Sequence, residues 1–484
     1  MWKHLRMVLA VAVFAGCLLL FCDRSEGRRL ALSLSWLADV QIVPALLAGS
    51  LACVAALLAA TLLLGRVYCS IVCPLGVLQD VIASLRRKRS YAYRPGRPLL
   101  RLACLAVFAG GAVWGIPGIY GLLEPYSAFG RMAASLGEPV SVLAHNGAEW
   151  LARQFGSLSL APQPLASHGW AALLAALVTL GAIGVLALRG GRTWCNTLCP
   201  VGAFLGLLSR HALVRPRIDA GRCLHCGRCA SVCKAGCIDA AGASVDASRC
   251  VACWNCAGAC AQNALHFLPG SAAPDAGGGK GRRAALAGLA GLLASPVQAA
   301  FADGAKEEKD IPALRRKARR SHPVPVLPPG ALGIRHFSSR CTGCQLCVAA
   351  CPHDVLSSYD RGTGLLQPEM TFEYGFCHLA CVSCGSVCPT GAITSLKPEE
   401  KSSVQVGRAV VHYEACVVET DKVPCTACQR SCPPGAISLV GGGELKRPAV
   451  DAEKCIGCGA CEYFCPARPV AAIQIEGNVE QRRI

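Results

Sequence analysis

Six groups of four cysteines, each contained within 11 to 17 residues, restrict this chain more than any other feature. Cys223, Cys226, Cys229 and Cys233 are separated by two, two and three residues, and Cys250, Cys253, Cys256 and Cys260 repeat the pattern. So do Cys341, Cys344, Cys347 and Cys351, and likewise Cys455, Cys458, Cys461 and Cys465. Two groups differ only in the first gap: Cys377, Cys381, Cys384 and Cys388 open with three residues, Cys416, Cys425, Cys428 and Cys432 with eight. This is the bacterial ferredoxin run for 4Fe–4S clusters. Three thiolates two residues apart let a short loop wrap one cubane, with backbone N–H groups turned toward its sulfides. The fourth cysteine ligates the neighbouring cluster, so groups work in pairs. Adjacent pairing and nested pairing of the last four groups are both compatible with the spacing. A proline follows the fourth cysteine in the last four groups (Pro352, Pro389, Pro433, Pro466), whereas the first two carry Lys234 and Ala261 there. A disulfide scaffold suits short secreted domains rather than 484 residues. Zinc favours two separated CxxC knuckles.

The remainder of the chain points to a membrane. Only 16% of residues are charged and 53% are hydrophobic, against about 25% charged in an ordinary soluble domain. Apolar runs occupy Met7–Phe21, Val40–Leu64, Leu99–Ile116 and Trp170–Leu188; the second can span alone and the next two are close to it. The first reads as a retained signal anchor, since no small-residue cleavage site follows it. Segments 1–6, 65–98 and 189–222 hold 15 Lys and Arg against five in 22–39 and 117–168. The richer set, with Arg86-Arg87-Lys88-Arg89, belongs on the cytoplasmic side. The formal charge of +18 falls to about +6 once six clusters each add about −2. No aromatic-interleaved basic patch signals nucleic acid.

An internal repeat joins the two halves of the apolar part. Gly65-Arg66-Val67-Tyr68-Cys69-Ser70-Ile71-Val72-Cys73-Pro74-Leu75-Gly76 matches Gly191-Arg192-Thr193-Trp194-Cys195-Asn196-Thr197-Leu198-Cys199-Pro200-Val201-Gly202. Each copy follows an apolar run, a plan common in membrane proteins with a central site. The x3 spacing predicts both thiols of a copy on one helical face. Cys69, Cys73, Cys195 and Cys199 are therefore candidates for one further metal, cluster or redox-thiol site; the alternative is inert helix-end cysteines. Cys17, Cys22, Cys53 and Cys104 read as packing residues. Cys237, four residues after Cys233, reads as packing with a substitute-ligand role as its alternative.

Further on, Gly281-Arg282-Arg283, a weakly apolar stretch and Ala300-Phe301-Ala302 form a twin-arginine leader pattern, with Ala285 where a phenylalanine is usual. Such a leader suits export of a folded, cluster-bearing domain. The competing arrangement keeps every cluster in the cytoplasm and makes 284–301 a re-entrant or linker helix.

The first 270 residues resemble NapH-type membrane ferredoxins, related to NosR-like and CcoG-like proteins, on the two Cx3CP motifs at Cys69–Pro74 and Cys195–Pro200 and the two motifs after them. Residues 281–484 resemble NapG/MauM-type periplasmic ferredoxins, on the leader, four cluster motifs in order and the widened gap in the third. The chain thus resembles a fusion of the two partners. The resemblance implies quinol oxidation and electron delivery to a periplasmic reductase, nitrate reductase being the best-known case. The expected architecture is multi-domain: an α-helical membrane bundle of four helices plus a fifth, with α+β ferredoxin-like 4Fe–4S domains. Its parts are a membrane domain at 1–218, a cytoplasmic two-cluster domain at 219–268, a leader or fifth helix within 269–302, a linker at 303–330 and a periplasmic four-cluster domain at 331–484. The expected setting is the bacterial inner membrane with a cytoplasmic amino terminus, and the expected partners are the quinone pool and a periplasmic redox protein. Quinol oxidation releases protons; the acid–base candidates in the 117–168 loop are Glu124, Tyr126 and His145, each with a solvated loop residue as the ordinary alternative. Competing functions are maturation of another enzyme and redox-sensing regulation. No CxxCH haem signature, Walker A motif or nicotinamide fingerprint occurs.

Overall fold

The computed structural model describes residues 2–23, 29–86, 90–114, 116–156, 162, 169–269, 324–360, 364–443 and 445–484. The leader or fifth helix expected within 281–302 lies outside the described residues, as does most of the linker before 331.

Among the described residues, two helices are long and apolar enough to cross a membrane by length and composition, α1 (Trp2–Cys22) and, later in the chain, Trp170–Gly190. The run Val40–Leu64, expected to form one span, is broken into Ile42–Leu47 and α2 (Leu51–Leu64). The break falls at Gly49, whose φ of +78° ends the first piece and which has no Cβ to oppose that conformation. The next run gives α3 (Pro98–Val113), after which Pro117 starts a short helix to Leu123. Trp170–Gly190 is α4, about 30 Å long at 1.5 Å per residue. Its buried residues Ala172, Ala176, Thr179, Ile183 and Ala187 recur every three or four positions, forming a narrow stripe. Small residues there let neighbouring backbones approach, as in helix packing within lipid. Leu173, Leu174, Leu177, Val178 and Val185 face outward.

Segment 117–168, expected as a loop, is helical in its described part: Pro117–Leu123, Pro125–Met132, a π-turn at Ala133–Gly137 and Glu138–Gln154. The helix Pro125–Met132 is buried along its whole length.

The cysteine-rich parts are small α+β units. In the first, Val214–Ile218 pairs antiparallel with Leu265–Pro269, and Ile238–Asp239 with Ser244–Val245. Its opening strand starts ahead of residue 219, because Leu265–Pro269 needs an edge to pair with. The second part holds the hairpin Leu356–Ser358/Pro368–Met370, the pair Val404–Val411/Ile473–Arg483 and the hairpin Ile437–Val440/Arg447–Val450.

The two cysteine-rich parts sit at opposite ends of the helices. At the amino end of α4, Ala171 and Ala172 pack on Leu366. At its carboxyl end, the Arg192 N–H donates to the Lys234 carbonyl at 2.9 Å. Helix α1 runs the same course in reverse: Arg6 donates to the Ser70 carbonyl at 3.3 Å, whereas Phe21 meets Tyr126 and Phe129 with ring centroids 6.2 Å apart. One buried cluster is continuous from Cys253 and Cys256 through Cys69, Cys73 and Cys199 to Leu346, Ala349 and Ala350.

Candidate electron-transfer centres

The four groups with regular spacing share a backbone device. In each, the residues just before and just after the second cysteine have positive φ: His225 and Gly227, Ala252 and Trp254, Gly343 and Gln345, Gly457 and Gly459. Left-handed residues in a tight turn aim successive N–H groups into one concavity, an anion-binding nest. Half of these residues are not glycine, and each costs about 1 kcal/mol to hold there. A tetrathiolate cluster is an anion, so the loops fit it. Further N–H groups reach the fourth cysteines: Ala264 to Cys260 Sγ at 3.3 Å, Ile393 to Cys388 at 3.4 Å, Ala436 to Cys432 at 3.2 Å and Ala472 to Cys465 at 3.3 Å.

Adjacent groups come together, each lending its fourth cysteine to the other. Cys223, Cys226 and Cys229 line one cavity with Cys260, and Cys250, Cys253 and Cys256 another with Cys233. In the second part, Cys377, Cys381 and Cys384 share a cavity with Cys351, and Cys416, Cys425 and Cys428 with Cys465. Burial raises the pKa of Cys347 most, followed by the charges of Cys344, Cys341 and Cys388, which marks a fifth group. For Cys461 burial is followed by Cys458, Cys455 and Cys432, the sixth. Of the two pairings compatible with the spacing, the structure has the adjacent one. Among the described residues no three Cys, His, Asp or Glu side chains converge as tightly as a single ion requires. A cubane accepts one thiolate per iron and holds its sulfurs farther apart.

The cavity of Cys233 contains a fifth thiol. Cys237 Sγ lies 3.5 Å from Cys233 Sγ and is fully buried. Lys234, which replaces the usual proline, pairs with Asp80 at 3.1 Å while its carbonyl receives the Arg192 N–H. The departure from the motif is thus a joint between this module and the helices.

The four repeat cysteines, all buried, gather between the modules. They do not share a helical face within each copy. Cys69 lies in Val67–Ile71, whereas Cys73 is the extended residue before Pro74–Ser84; Cys195 and Cys199 repeat this around Thr193–Thr197 and Pro200–Ser209. Pro74 and Pro200 enforce the break, because the residue before proline avoids the helical region. Two fully buried arginines cross over between the copies. Arg66 donates to the Cys195 carbonyl at 3.1 Å and lies 3.7 Å from Cys69 Sγ; Arg192 donates to the Cys69 carbonyl. A Cβ at Gly76 or Gly202 would run into those carbonyls and guanidinium groups. Gln79 Nε2 donates to Cys195 Sγ at 3.0 Å, and the Gly202 N–H to Cys199 Sγ at 3.3 Å.

At the opposite end of the helices, Glu124 is a buried N-cap. Its carboxylate accepts the N–H groups of Tyr126, at 3.0 Å, and Ser127. Burial pushes its pKa up against these bonds. The Tyr126 hydroxyl is buried without a hydrogen-bond partner. Both residues lie beside Cys344. Arg131, also fully buried, donates to Gly121 O at 2.9 Å and Gly343 O at 3.4 Å. Tyr120 reaches Ser338 O and Cys341 O at 3.0 and 3.2 Å. Glycines 121 and 130 allow this approach; a Cβ on either would strike the carbonyl of Thr342 or Cys344. His145 is half-buried on Glu138–Gln154, and the side chains gathered at Cys344 are Glu124, Tyr126 and Arg131. Sequence reasoning missed Arg131 and Tyr68, although a lone arginine in an apolar segment is itself a signal. Tyr68 lies between the two regions: its hydroxyl donates to Gln41 Oε1 at 2.9 Å, and its charged neighbours are Cys73, Glu124 and Cys69.

The centres therefore follow one another. Arg66 reaches Cys69, and Cys250, Cys253 and Cys256, the repeat cysteines Cys69, Cys73 and Cys199, then Tyr68, Tyr126 and Cys344 all pack in one buried cluster. From there Cys347 neighbours Cys384, and the Cys377 N–H donates to the Cys458 carbonyl at 2.9 Å.

A family model described as a 4Fe-4S binding domain matches residues 46–91 and 171–219, the two repeat copies, and another of that description matches 220–236. Models described as 4Fe-4S dicluster domains match 340–392 with 423–468, and 246–355. The chain is 35% identical over 159 residues to the methylamine utilization ferredoxin-type protein MauM of Methylobacillus flagellatus, covering 30% of this chain and 68% of the relative. It is 31% identical to the ferredoxin-type protein NapG of Escherichia coli, over 31% of this chain and 71% of the relative. The ferredoxin-type protein NapF of Escherichia coli is also 31% identical, over 30% of this chain and 84% of the relative. No solved structure matches.

Proposed function

Because the chain belongs to the family of ferredoxin-type iron–sulfur proteins that includes MauM, NapG and NapF, we propose that it is a membrane-spanning electron conduit. In this reading it oxidises quinol and passes the electrons through 4Fe–4S clusters to a periplasmic redox partner such as a reductase. The clusters, when bound, supply one-electron carriers whose potentials the protein sets by burial and N–H···S bonds. Their ligands are the six groups of the paired motifs, with the fourth cysteine exchanged within each pair. Cys69, Cys73, Cys195 and Cys199 form a seventh centre, held by thiolates between two buried guanidinium groups.

The observation that carries the reading is the single buried cluster that joins cysteines of the 214–269 module, of the repeat and of the second cysteine-rich part beside two 21-residue apolar helices. The module at 214–269 lies on the arginine-rich, cytoplasmic side, and 324–484 lies outside. Quinol oxidation releases two electrons and two protons. The buried Glu124 carboxylate accepts the first proton at Oε1 or Oε2 and hands it on to solvent before it takes the second, the Tyr126 hydroxyl orients the quinol oxygen, and Arg131 holds the loop of Cys344 against the site. Phe21 packs on the Tyr126 and Phe129 rings and keeps water out.

The test is quinol-dependent bleaching of cluster absorbance in the purified chain. Glu124→Gln and Tyr126→Phe should each slow it at least tenfold, about 1.4 kcal/mol in the barrier, with iron content unchanged. Wild-type rates in both variants would rule out this site. Protease digestion of 324–484 in spheroplasts tests the sidedness; protection would put all clusters in the cytoplasm. Cys69→Ala/Cys195→Ala should lower iron by one cluster, and unchanged iron would remove the seventh centre.

A further inference from the structure

A cavity of about 450 Å³ opens where the carboxyl end of α4 and the amino end of α3 meet the module at 214–269. Its polar wall holds Arg94, Arg97 and Arg249, and its apolar wall Leu100, Leu186 and Leu198; no carboxylate lines it among the described residues. Arg249 is 3% exposed. Its Nε donates to Asp246 at 2.6 Å, and its Nη1 to the carbonyls of Arg94, at 2.5 Å, and Gly236, at 3.3 Å. Its Nη2 is buried with no hydrogen-bond partner, and the guanidinium lies over the Tyr93 ring, 5.6 Å from its centroid. A buried guanidinium N–H left without an acceptor costs about 1–3 kcal/mol or more, so the site is built for an acceptor it does not itself contain. Arg97 precedes Pro98, the first residue of the 16-residue α3, so unpaired helical N–H groups add to the same positive field.

We propose that this cavity seats the phosphodiester headgroup of an anionic phospholipid, with its acyl carbons running along Leu100 and Leu186. This rests on the membrane-spanning reading. The position carries the assignment: a basic pocket between helices, at the arginine-rich end of two spans, with one wall continuous with their outward apolar surface. Such pockets on the cytoplasmic side take anionic lipid headgroups. A soluble anion would use the arginines but not the leucines. A neutral quinone would leave two uncompensated arginines at its head.

The seat also touches the electron path. Asn196, another wall residue, accepts from Arg66 at 2.8 Å and donates to the Ala235 carbonyl at 3.1 Å. Lipid bound there braces the joint between the repeat cysteines and the Cys233 loop.

The experiment places the full chain in phosphatidylcholine nanodiscs and titrates fluorescent cardiolipin, then inorganic phosphate as competitor. The expected result is selective, saturable cardiolipin binding that phosphate competes for weakly. Arg94→Gln/Arg97→Gln should weaken it about thirtyfold, two arginines' worth of surface attraction. Arg482→Gln/Arg483→Gln, an equal charge loss on the other module, should not weaken it. Iron content and circular dichroism check that the double variant is folded. If it is not, cardiolipin retained over phosphatidylcholine by the wild type in native mass spectrometry decides. Equal binding in the folded double variant, no lipid selectivity, or displacement by phosphate at lipid-like concentrations overturns the proposal. A chain that does not enter the bilayer overturns the membrane reading itself.

Discussion

The two repeat copies use the same arginine differently. Arg192, in the second copy, is matched by a carboxylate: Asp80 accepts from its Nε and Nη2, both at 2.8 Å. Arg66, in the first, is met by neutral acceptors: Asn196 Oδ1 at 2.8 Å, the Ser248 carbonyl at 3.2 Å and the Cys195 carbonyl. The position equivalent to Asp80 is Gly206, and a Cβ there would collide with the Arg101 guanidinium. Where one copy places an anion, the other admits a further cation. The potentially anionic neighbours of Arg66 are Cys69, Cys195 and Cys199. Near-symmetric backbones thus surround an asymmetric field, in which buried Arg66 and Arg101, both on the Ser248 carbonyl, face no carboxylate of the second copy among the described residues. Thiolates on the proposed seventh centre would balance that charge, whereas burial by itself raises the pKa of Cys73, Cys195 and Cys199.

The largest expected effect comes from removing the matched charge. Asp80→Asn leaves Arg192 buried and unpaired, with Lys234 facing it, and should cost about 3–5 kcal/mol in denaturant unfolding. Asn196→Ala, on the neutral side, should cost about 1–2 kcal/mol. Equal losses would erase the distinction. Acid should make the same cut more gently. Burial alone would raise the Asp80 pKa, but Arg192 and Lys234 hold it at about 2, below its unfolded value near 3.9. Its contribution, about 2.6 kcal/mol, is complete above about pH 5 and is lost as pH falls through 2. Asp80→Asn should lose that share of the acid dependence in unfolding titrations, leaving the part due to other carboxylates such as Asp246; an acid profile as steep as the wild type's would place the effect elsewhere. Gly206→Ala should then cost about 1–3 kcal/mol by overpacking against Arg101, whereas alanine at the open Gly181 should not. The mildest change is Gln79→Leu, which copies Leu205 of the second repeat and removes the bond to Cys195. It should cost about 1 kcal/mol and leave the iron content intact.

Legibility in the sequence followed locality. The cysteine groups could be read because a cluster demands three ligands within one turn of chain, and the repeat because its twelve positions are contiguous. The pairing of groups could not, since the fourth cysteine's partner is distant in the chain. The break in Val40–Leu64 was carried by Gly49-Ser50, short punctuation inside a strongly apolar run. Glu124 looked like a loop residue because Pro125 follows it, although Glu before Pro is equally a helix N-cap. Lys234 looked like a defect in a motif because its partner, Asp80, lies 154 residues earlier.

Exchange of the fourth cysteine has a consequence for biogenesis. A thiol donated across a pair makes neither half complete before the other. Delivery of iron and sulfur to one member preorganises the second, and a chain caught halfway presents open, reactive sulfur. Maturation is thereby driven toward two outcomes per pair, fully furnished or empty. Each pair must also be furnished in a single compartment, before any part of it is carried elsewhere.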